Sequence, residues 1–394
     1  MMLGYLLARA GIDVIVLEKH ADFLRDFRGD TVHPSTLELM YELGLLDEFL
    51  KRPHQEVVQL VGIIGGNAVP IADFGHLPTH CKFIALMPQW DFLSFLAESG
   101  RRYPQFRIVM QAEVTELVED GGRIAGLRAT TPDRPLEIRA GLVVGADGRH
   151  STVRALAGLT VDDIGAPIDV LWFRLPRHPG DLGGAALGRF DAGKILVALD
   201  RGDYWQCASV IPKGGFEALR ARGLQTLRDD VAAVAPDLRD RVDAIRTWDD
   251  VKLLTVTVDR LREWYRPGLL CIGDAAHAMS PIAGVGINLA IQDAVAAANI
   301  LCEPLRAGTP PVHALAAVQR RRMLPIRLTQ SLQVFVQNRV ITSALRSTKP
   351  ATVPLPLRLL RRFPFLRRIP ARIVGIGFRP EHVRTPEAAT PRSA

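Results

Sequence analysis

Residues 273–293 read GDAAHAMSPIAGVGINLAIQD and follow a short apolar segment at 269–272. A second stretch, GADGRHSTVR at 145–154, has the same layout and follows an apolar segment at 142–144. Glycine lets a backbone approach a phosphate or a ring, and the start of a helix offers free N–H groups to an anion. The Asp after each strand is suited to accept from sugar hydroxyls. Two such turns predict one long ligand that contains a sugar, a pyrophosphate and a flat ring.

The start of the chain predicts part of a nucleotide-binding βαβ unit. Residues 3–10 are typical of a helix that Gly11 ends, and residues 12–17 are typical of a buried parallel strand. Glu18 lies at the tip of that strand, where an acid binds a ribose. We expect the first half of the unit, a strand and a Gly-x-Gly-x-x-Gly turn, upstream of Met1. Gly4 lies too far into the helix to belong to that turn.

Taken together, these motifs resemble the single-component flavoprotein monooxygenases that hydroxylate aromatic compounds, the p-hydroxybenzoate hydroxylase type. The resemblance covers about residues 1–305 and rests on the order and separation of the matching positions. The positions that match cofactor-binding residues of the family are Glu18, Arg28, Gln89, Asp147, Gly148, Arg154, Gly273, Asp274, Pro281, Gly284, Gly286 and Asn288, and Ser151 matches the second motif as well.

The resemblance implies FAD as the cofactor and NADH or NADPH as the co-substrate. It places Glu18 on the adenosine ribose, Arg28 near the ribityl and pyrophosphate groups, and Asp274 on a hydroxyl close to them. It also implies that a helix starting near residues 286–288 directs its N–H groups at the pyrimidine edge of the flavin. Oxygen would be activated as a flavin C4a-hydroperoxide. The sequence assigns no catalytic side chain and no metal site, because no histidines or cysteines have the spacing of metal ligands.

Several of these residues also have simpler interpretations. Glu18 would be a solvated acid at a strand end, Arg28 and Arg154 would form ion pairs, and Gln89 would cap a helix. Ser151 would be a turn residue. His277, on the same turn as Asp274, is better explained as a packing residue than as an acid or a base.

The organisation along the chain predicts an α/β protein whose domains interleave. We expect a Rossmann-like FAD-binding domain of the glutathione-reductase type at 1–55, 82–165 and 268–305. A substrate domain built on an antiparallel sheet is expected at 56–81 and 166–267, and a basic helical region and tail at 306–394. Hairpins are predicted at 57–72 and 114–130, and one helix at 216–234. Candidate substrate contacts are Trp172, Arg174, Tyr204, Trp205 and Gln206, with weaker candidates at His76 and His80.

Composition limits the class of protein. No run of about 18 uncharged apolar residues is present, and the first residues lack the pattern of a signal peptide. The four cysteines are widely spaced, which favours reduced thiols and a cytoplasmic location. We expect a small aromatic, quinone-like or polyketide-like substrate as the partner and no nucleic acid.

Charge is distributed unevenly along the chain. Residues 1–303 have a net charge of −8, whereas residues 304–380 contain 15 basic residues and no acid. Within 353–377, six arginines alternate with large apolar residues, and four prolines exclude one continuous helix. Two interpretations stay open, peripheral contact with an anionic membrane and docking of the basic region on the acidic body of the protein.

Other functions share these motifs. A flavin-dependent reductase or dehydrogenase without oxygen insertion, such as a prenyl-chain reductase, is the main alternative. A flavin halogenase is less compatible, because Cys207 and Ser209 stand where the Trp-x-Trp-x-Ile-Pro motif needs tryptophans. A non-enzymatic chain that keeps only the fold is a further alternative, which a flavin spectrum of the purified protein would test.

Overall fold

The computed structural model describes residues 1–24, 31–181 and 186–388. Its first elements are α1, Met2–Arg9, and β1, Val14–Glu18, close to the predicted bounds. Gly4 allows α1 to lie directly on β1, because a Cβ there would be 2.8 Å from a methyl group of Val16. Glu18 ends β1, as expected.

The next part of the chain alternates short strands with helices. Its elements are β2 Thr31–Val32, α2 Pro34–Glu42, α3 Leu46–Phe49, β3 Gln55–Val57, β4 Gln59–Ile64, β5 Asn67–Asp73, β6 Ile84–Leu86, α4 Gln89–Gly100, β7 Phe106–Met110, β8 Glu113–Asp120, β9 Arg123–Thr130, β10 Pro135–Arg139, β11 Val143–Gly145 and α5 Thr152–Leu156. Strands β1 and β7 pair in parallel, and the hairpins β4–β5 and β8–β9 confirm two predictions.

The middle of the chain forms most of a seven-stranded sheet. Its elements are β12 Val161–Asp163, β13 Ile168–Pro176, β14 Ala186–Asp191, β15 Lys194–Asp200, β16 Tyr204–Pro212, α6 Phe216–Ala221, α7 Leu224–Val234, β17 Lys252–Leu254 and β18 Asp259–Leu261. The strand order is β17-β13-β16-β15-β14-β4-β5. The hairpin β4–β5 therefore extends the sheet.

Two details differ from the sequence-based expectations. The sheet is mixed rather than purely antiparallel, because β14 pairs in parallel with β4. The helix predicted at 216–234 is two helices, since Gly223 between them has φ +91°, a left-handed conformation that interrupts a helix.

A further parallel pair, β11 with β20, carries both acid-bearing turns. Strands β19 Tyr265–Arg266 and β20 Leu269–Cys271 are followed by the long helix α8, Gly286–Arg306. β20 pairs in parallel with β11. Among the described residues, one helical segment, Ile282–Arg306, is long and apolar enough to cross a membrane, but 72% of its apolar window is buried inside the protein. Its apolarity is explained by its place in the core, where it packs on α1.

The C-terminal region is helical, as predicted, and then irregular. It comprises α9 Val312–Phe335, a π-helix at Val336–Ile341, α10 Thr342–Arg346, α11 Leu355–Arg362, α12 Arg368–Gly375 and a segment without regular secondary structure at residues 381–388. The short pieces α11 and α12 match the prolines that exclude one long helix. The domain boundaries and the strand expected upstream of Met1 stay predictions.

Candidate functional site

The two acid-bearing turns lie side by side, although more than a hundred residues separate them in sequence. The pairing of β11 with β20 aligns Gly145 with Cys271, so both turns leave the same edge of the sheet. Their side chains meet there, with Arg149 Nη2 3.8 Å from Asp274 Oδ2. Ligands of open α/β sheets bind at this edge, beyond the carboxyl ends of the strands.

In the turn at 145–154, the aspartate stabilises the turn through hydrogen bonds within it. Asp147 Oδ1 accepts from the Ser151 hydroxyl at 2.5 Å, and Oδ2 accepts from the Val153 N–H at 3.0 Å. Ser151 in turn caps α5 by accepting from the N–H of Arg154 at 3.0 Å. Gly148 has φ +86° and open space around it. Asp147 therefore stabilises the start of α5, and Ser151 is the turn residue of its simpler interpretation.

Arg154 connects the two turns. Its guanidinium donates to both carboxylate oxygens of Asp259, at 3.4 and 3.2 Å, and to the carbonyl oxygens of Arg149 and Ala275. Arg154 and Asp259 are both largely buried. The ion-pair interpretation of Arg154 is confirmed, and its contacts hold the 145–154 turn against the 273–276 turn.

The turn at 273–276 leaves its acid partly open. Gly273 has φ +59°, and a Cβ there would lie 2.9 Å from Ala290 of α8, so glycine is needed on both counts. The Asp274 side chain is 32% exposed. A Cβ at Gly286 would be 4.0 Å from Asp274 Oδ1, so the carboxylate faces the first residue of α8.

The start of α8 offers free backbone donors. Val285 caps the helix without a side-chain acceptor. The N–H groups of Gly286, Ile287 and Asn288 have no acceptor among the described residues. Before them, Ala283 and Gly284 both have positive φ, 61° and 62°. A helix start of this kind, in a helix of 21 residues, favours a negatively charged group.

Gly284 and Asn288 join this helix start to the N-terminal part of the chain. A Cβ at Gly284 would lie 2.2 Å from Thr31 Oγ1, which donates to the Gly284 carbonyl at 2.9 Å. The buried Asn288 amide accepts from His33 N at 2.9 Å and Thr36 Oγ1 at 2.8 Å, and donates to the carbonyls of Thr31 and Gly284. The Asn288 side chain thus positions the helix start.

The other predicted site residues are more scattered. Gln89 is the first residue of α4, partly exposed, and the half-buried Pro281 caps the 3₁₀ turn Ile282–Gly284. Glu18 accepts from the N–H of His20 at 3.0 Å. Burial lowers the pKa of the Met1 amino group, and the negative charge of Glu18 opposes that shift. Arg28 lies outside the described residues.

A cluster of buried charges supports the 273–276 turn from behind. Asp293 Oδ2 accepts from the Gly273 N–H at 3.1 Å and lies 2.5 Å from His277 Nε2, while Oδ1 accepts from Arg322 Nε at 2.8 Å. Burial alone would raise the pKa of the Asp293 carboxyl, but His277 and Arg322 together lower it. His277 is therefore a packing and positioning residue, as its simpler interpretation holds.

Sequence analysis missed the glutamines that hold the segment between Asp274 and α8. Gln330, Gln333 and Gln337 lie on one face of α9 and the π-helix, and all are buried. Their amides donate to the carbonyls of Ala278 and Ser280 and to the Ser280 hydroxyl, among other acceptors. Their spacing of three and four residues is a helical signal that could have identified them.

The candidate substrate residues are divided between the two faces of the seven-stranded sheet. Trp205 packs on the α7 side and donates to Asp181, whereas Trp172 faces Ile282 and the π-helix. Tyr204 and Gln206 share the face of Trp172, because Arg174 pairs with Gln206 and Trp172 with Ala208. The predicted alternation of Tyr204 and Trp205 is confirmed. Arg174 lies over the Tyr204 ring at 4.8 Å, and His80 pairs with Glu38 on the surface.

Comparison with known proteins identifies the fold and the cofactor. Residues 1–331 match the FAD binding domain family. The chain belongs to that family. It is 35% identical over 94% of its length to 6-methylpretetramide 4-monooxygenase from Streptomyces rimosus, of which it covers 88%. It is 26% identical over 75% of its length to rifampicin monooxygenase from Rhodococcus hoagii, of which it covers only 60%.

The fold agrees with this family assignment. The structure of p-nitrophenol 4-monooxygenase PnpA from Pseudomonas putida has a TM-score of 0.75 at 20% identity, covering 94% of this chain and 93% of that one. The chain is thus an FAD-dependent oxidoreductase of the monooxygenase class, with NAD(P)H as the donor.

The residues of this flavoenzyme fit FAD. The partly exposed carboxylate of Asp274 is suited to a sugar hydroxyl, and the uncapped start of α8 is suited to the electron-rich edge of a flavin. Gly286 leaves no side chain between them. Among the described residues, no cluster of three or more His, Cys, Asp or Glu side chains is arranged to hold a metal ion.

Proposed function

We propose that the enzyme hydroxylates a small aromatic molecule of the polyketide or quinone type. Its similarity to a relative named for a 6-methylpretetramide substrate, at 35% identity over most of both chains, is the observation that carries the proposal. The sheet face that carries Trp172 supports it. There Trp172, Val210 and Ile282 belong to a partly buried apolar cluster beside the segment that leads into α8.

We assign the binding of FAD to residues that would contact it and to residues that shape its site. Asp274 binds a hydroxyl of the ribityl chain, Glu18 binds the adenosine ribose, and the N–H groups of residues 286–288 face the pyrimidine edge of the flavin. Gly273, Gly284 and Gly286 allow the backbone to approach. Asp147, Gly148, Arg154, Pro281 and Asn288 act through the shape of the turns, since the side chains of Asp147, Arg154 and Asn288 already bond within the protein. Arg28 and Gln89 complete the set.

The chemistry then divides between cofactor and protein. When bound, FAD supplies the exchange of two electrons with NADH or NADPH and the activation of O2. The overall reaction consumes substrate, O2, NAD(P)H and a proton, and yields hydroxylated substrate, water and NAD(P)+. The free N–H groups of α8 stabilise negative charge at the helix start. We assign the substrate to the neighbourhood of Trp172 and Ile282, whose apolar cluster would exclude water from it.

The test is an oxygenation assay on the enzyme reconstituted with FAD. Polyphenolic anthraquinones, naphthoquinones and p-nitrophenol are incubated with isotopically labelled O2 and with NADH or NADPH. We expect NAD(P)H oxidation that depends on a polycyclic substrate and a product that contains labelled oxygen. A product that is reduced and carries no label would favour the reductase alternative and overturn the proposal.

We also propose a cytoplasmic enzyme that contacts anionic membrane through α11 and α12. Docking of the basic region on the acidic body explains only part of its charge. Arg322 pairs with Asp293 of the acidic body, and Arg321 pairs with Glu381 of the C-terminal region itself. In contrast, the arginines of the α11–α12 segment have no ion pair with any described residue; they are Arg358, Arg361, Arg362, Arg367, Arg368 and Arg372.

Apolar side chains on the same segment are exposed. Leu355, Phe365 and Ile369 are 68%, 62% and 59% exposed, while Val353 and Ala371 are buried against the body. The segment thus docks on the protein by one side and presents arginines and apolar groups on the other. An anionic lipid surface complements both, at about 1 kcal/mol for each basic residue near the headgroups.

Vesicle sedimentation tests the membrane contact. The enzyme is mixed with vesicles of phosphatidylglycerol and phosphatidylcholine, or of phosphatidylcholine alone, at low and moderate salt. We expect binding to the anionic vesicles that salt weakens and that the double change Phe365→Ser, Ile369→Ser reduces. The matched control is Phe335→Ser, which removes an equally exposed aromatic residue of α9, 59% exposed. Equal sedimentation of the tail variant and the control, or none at low salt, would overturn the proposal.

A further inference from the structure

The last described residues form a strap across the FAD-binding part of the protein. We define the strap as residues 381–388. Its Ala388 N–H donates to the Arg9 carbonyl at 2.9 Å, and Arg9 donates back to the Thr385 carbonyl at 3.0 Å. The strap therefore holds the end of α1. The sequence gives no indication of this, because these residues have the composition of a polar tail.

The strap also holds α2 and α8. The Val383 N–H donates to Glu42 Oε2 at 2.7 Å, at the end of α2. The Arg384 N–H and the His382 carbonyl both bond to the amide of Asn299 on α8, each at 2.8 Å. These partners come from three helices that are far apart in sequence.

Glu381 connects the strap to the buried charges behind the 273–276 turn. Its carboxylate accepts from Arg321 Nε at 2.5 Å and lies 3.4 Å from Arg322 Nη1. Its N–H donates to Gln292 of α8. Glu381 is 4% exposed and Arg322 is fully buried. The carboxylate of Glu381 thus lies in the core. Arg322 lies between it and Asp293, the acid that accepts from the Gly273 N–H.

The contacts form a continuous chain from the strap to the turn. Glu381 bonds to Arg322, Arg322 to Asp293, and Asp293 to the backbone N–H of Gly273. Asp274, the next residue, carries the carboxylate that faces the start of α8. Arg322 lies between Glu381 and Asp293. The position of Asp293 therefore depends on Arg322 and, through Arg322, on Glu381. A buried arginine that loses one of two carboxylates shifts toward the other or draws in water.

We propose that the strap is a positioning element for the cofactor, acting through Glu381, Arg322 and Asp293 on the turn that carries Asp274. Glu381 touches no cofactor atom in this arrangement. It fixes the turn against α8, so the affinity for FAD depends on the C-terminal segment. The inference rests on the proposed role of Asp274 in binding FAD.

The experiment compares two acid-to-amide changes on the same strap. Glu381→Gln removes the charge that reaches Arg322. Glu387→Gln is the matched control, because within the described part of the chain the Glu387 carboxylate bonds to Arg9 and Tyr103, at the exposed end of the strap. FAD affinity is measured on apoprotein by flavin fluorescence, and apoprotein stability by thermal unfolding. We expect the dissociation constant of FAD to rise about tenfold in Glu381→Gln and less than twofold in Glu387→Gln.

Three further measurements separate positioning from mere stability. Glu381→Asp keeps the charge, and we expect it to restore most of the affinity. The visible circular dichroism of bound flavin should change in Glu381→Gln and recover in Glu381→Asp. If Glu381→Gln fails to fold, Arg321→Ala loosens Glu381 from a half-buried position, and we expect FAD binding several-fold weaker. Lower thermal stability with unchanged FAD affinity in every variant would overturn the inference.

Asp274→Ala distinguishes the two levels of the argument. If Asp274→Ala weakens FAD binding and Glu381→Gln does not, the strap inference fails and the proposed cofactor site stands. If neither change alters FAD affinity, the assignment of the 273–276 turn to the cofactor fails as well.

Discussion

The turn after β11 and the turn after β20 each contain a glycine and an aspartate. Both lie at the same edge of the sheet, and each leads into a helix. In the first turn, both oxygens of Asp147 accept bonds from residues of that same turn and of α5. In the second, the Asp274 carboxylate faces the uncapped start of α8 across Gly286. The comparison teaches that an acid after a strand serves its own turn and helix in one case, as Asp147 does, and stays partly exposed beside the following helix in the other, as Asp274 does.

The helices that follow the turns explain this difference. α5 has five residues and supplies its own cap at Ser151, so little of its start is left unpaired. α8 has 21 residues and begins after Val285, which has no side-chain acceptor. Its start is held by contacts from elsewhere, through Asn288 and Gly284, and its free N–H groups stay available.

The largest expected effect is a loss of unfolding free energy at low pH, caused by His33, which contacts the start of α8. The His33 N–H bonds to Asn288, and burial lowers the pKa of the His33 imidazole from 6.5 to about 4. The unfolded chain binds this proton first, so stability that is complete above pH 6.5 is lost as the pH falls toward 4. At about 1.4 kcal/mol per unit, the loss reaches about 3 kcal/mol. Urea unfolding between pH 7.5 and 4 measures it.

His33→Gln isolates this contribution. The difference in unfolding free energy between the natural protein and this variant should shrink steadily below pH 6.5. A constant difference between the natural protein and His33→Gln at every pH would contradict the prediction.

The two acids themselves give the next effect. Asp274→Ala removes an acceptor from a sugar hydroxyl, which is worth about 1.5–3 kcal/mol for a charged hydrogen bond. We expect the dissociation constant of FAD to rise at least tenfold. Asp147→Ala should change it by less than about threefold, because that carboxylate bonds within the protein. Titration of the apoproteins with FAD decides, and similar losses in both variants would break the comparison.

Gly284, just before α8, and Gly148, in the turn after β11, should differ in how well they tolerate a side chain. Gly284→Ala places a Cβ 2.2 Å from Thr31 Oγ1 at φ +62°, whereas Gly148→Ala meets no atom within 4 Å at φ +86°. The left-handed conformation costs about 1–2 kcal/mol in either variant. We expect the greater loss of unfolding free energy for Gly284→Ala, because only there does the neighbour have to move. Equal losses in urea unfolding would show that the contact with Thr31 is easily relieved.

The smallest effect concerns the cap of α5. Ser151→Ala removes the acceptor for the Arg154 N–H and one donor to Asp147. Loss of an N-cap costs about 1 kcal/mol. We expect a small decrease in thermal stability and an unchanged FAD affinity. A clear loss of FAD affinity in this variant would sharpen the comparison differently, by giving the first turn a direct part in binding.

Sequence and structure contribute differently to the site. The Asp274 and Gly286 positions were predictable, because the strand, the acid and the glycines lie within one continuous segment. The family resemblance added FAD and monooxygenation, which the comparisons confirm. In contrast, the roles of Asp147 and Asn288 were not predictable, since each depends on which donors happen to be within reach. The glutamines of α9 were missed because a helix far along the chain supplies them.

The sequence by itself determined the short-range features of this protein: strands that end in an acid, glycines where the backbone turns, and a tail rich in arginine. These follow from local conformational preference and from the order of apolar and polar residues. Only the tertiary structure decided which acid stays partly exposed, which arginines form ion pairs, and that residues 381–388 reach the core through Glu381. The physical reason is that a hydrogen bond or ion pair depends on distances of about 3 Å, and distant segments come that close only in the folded chain.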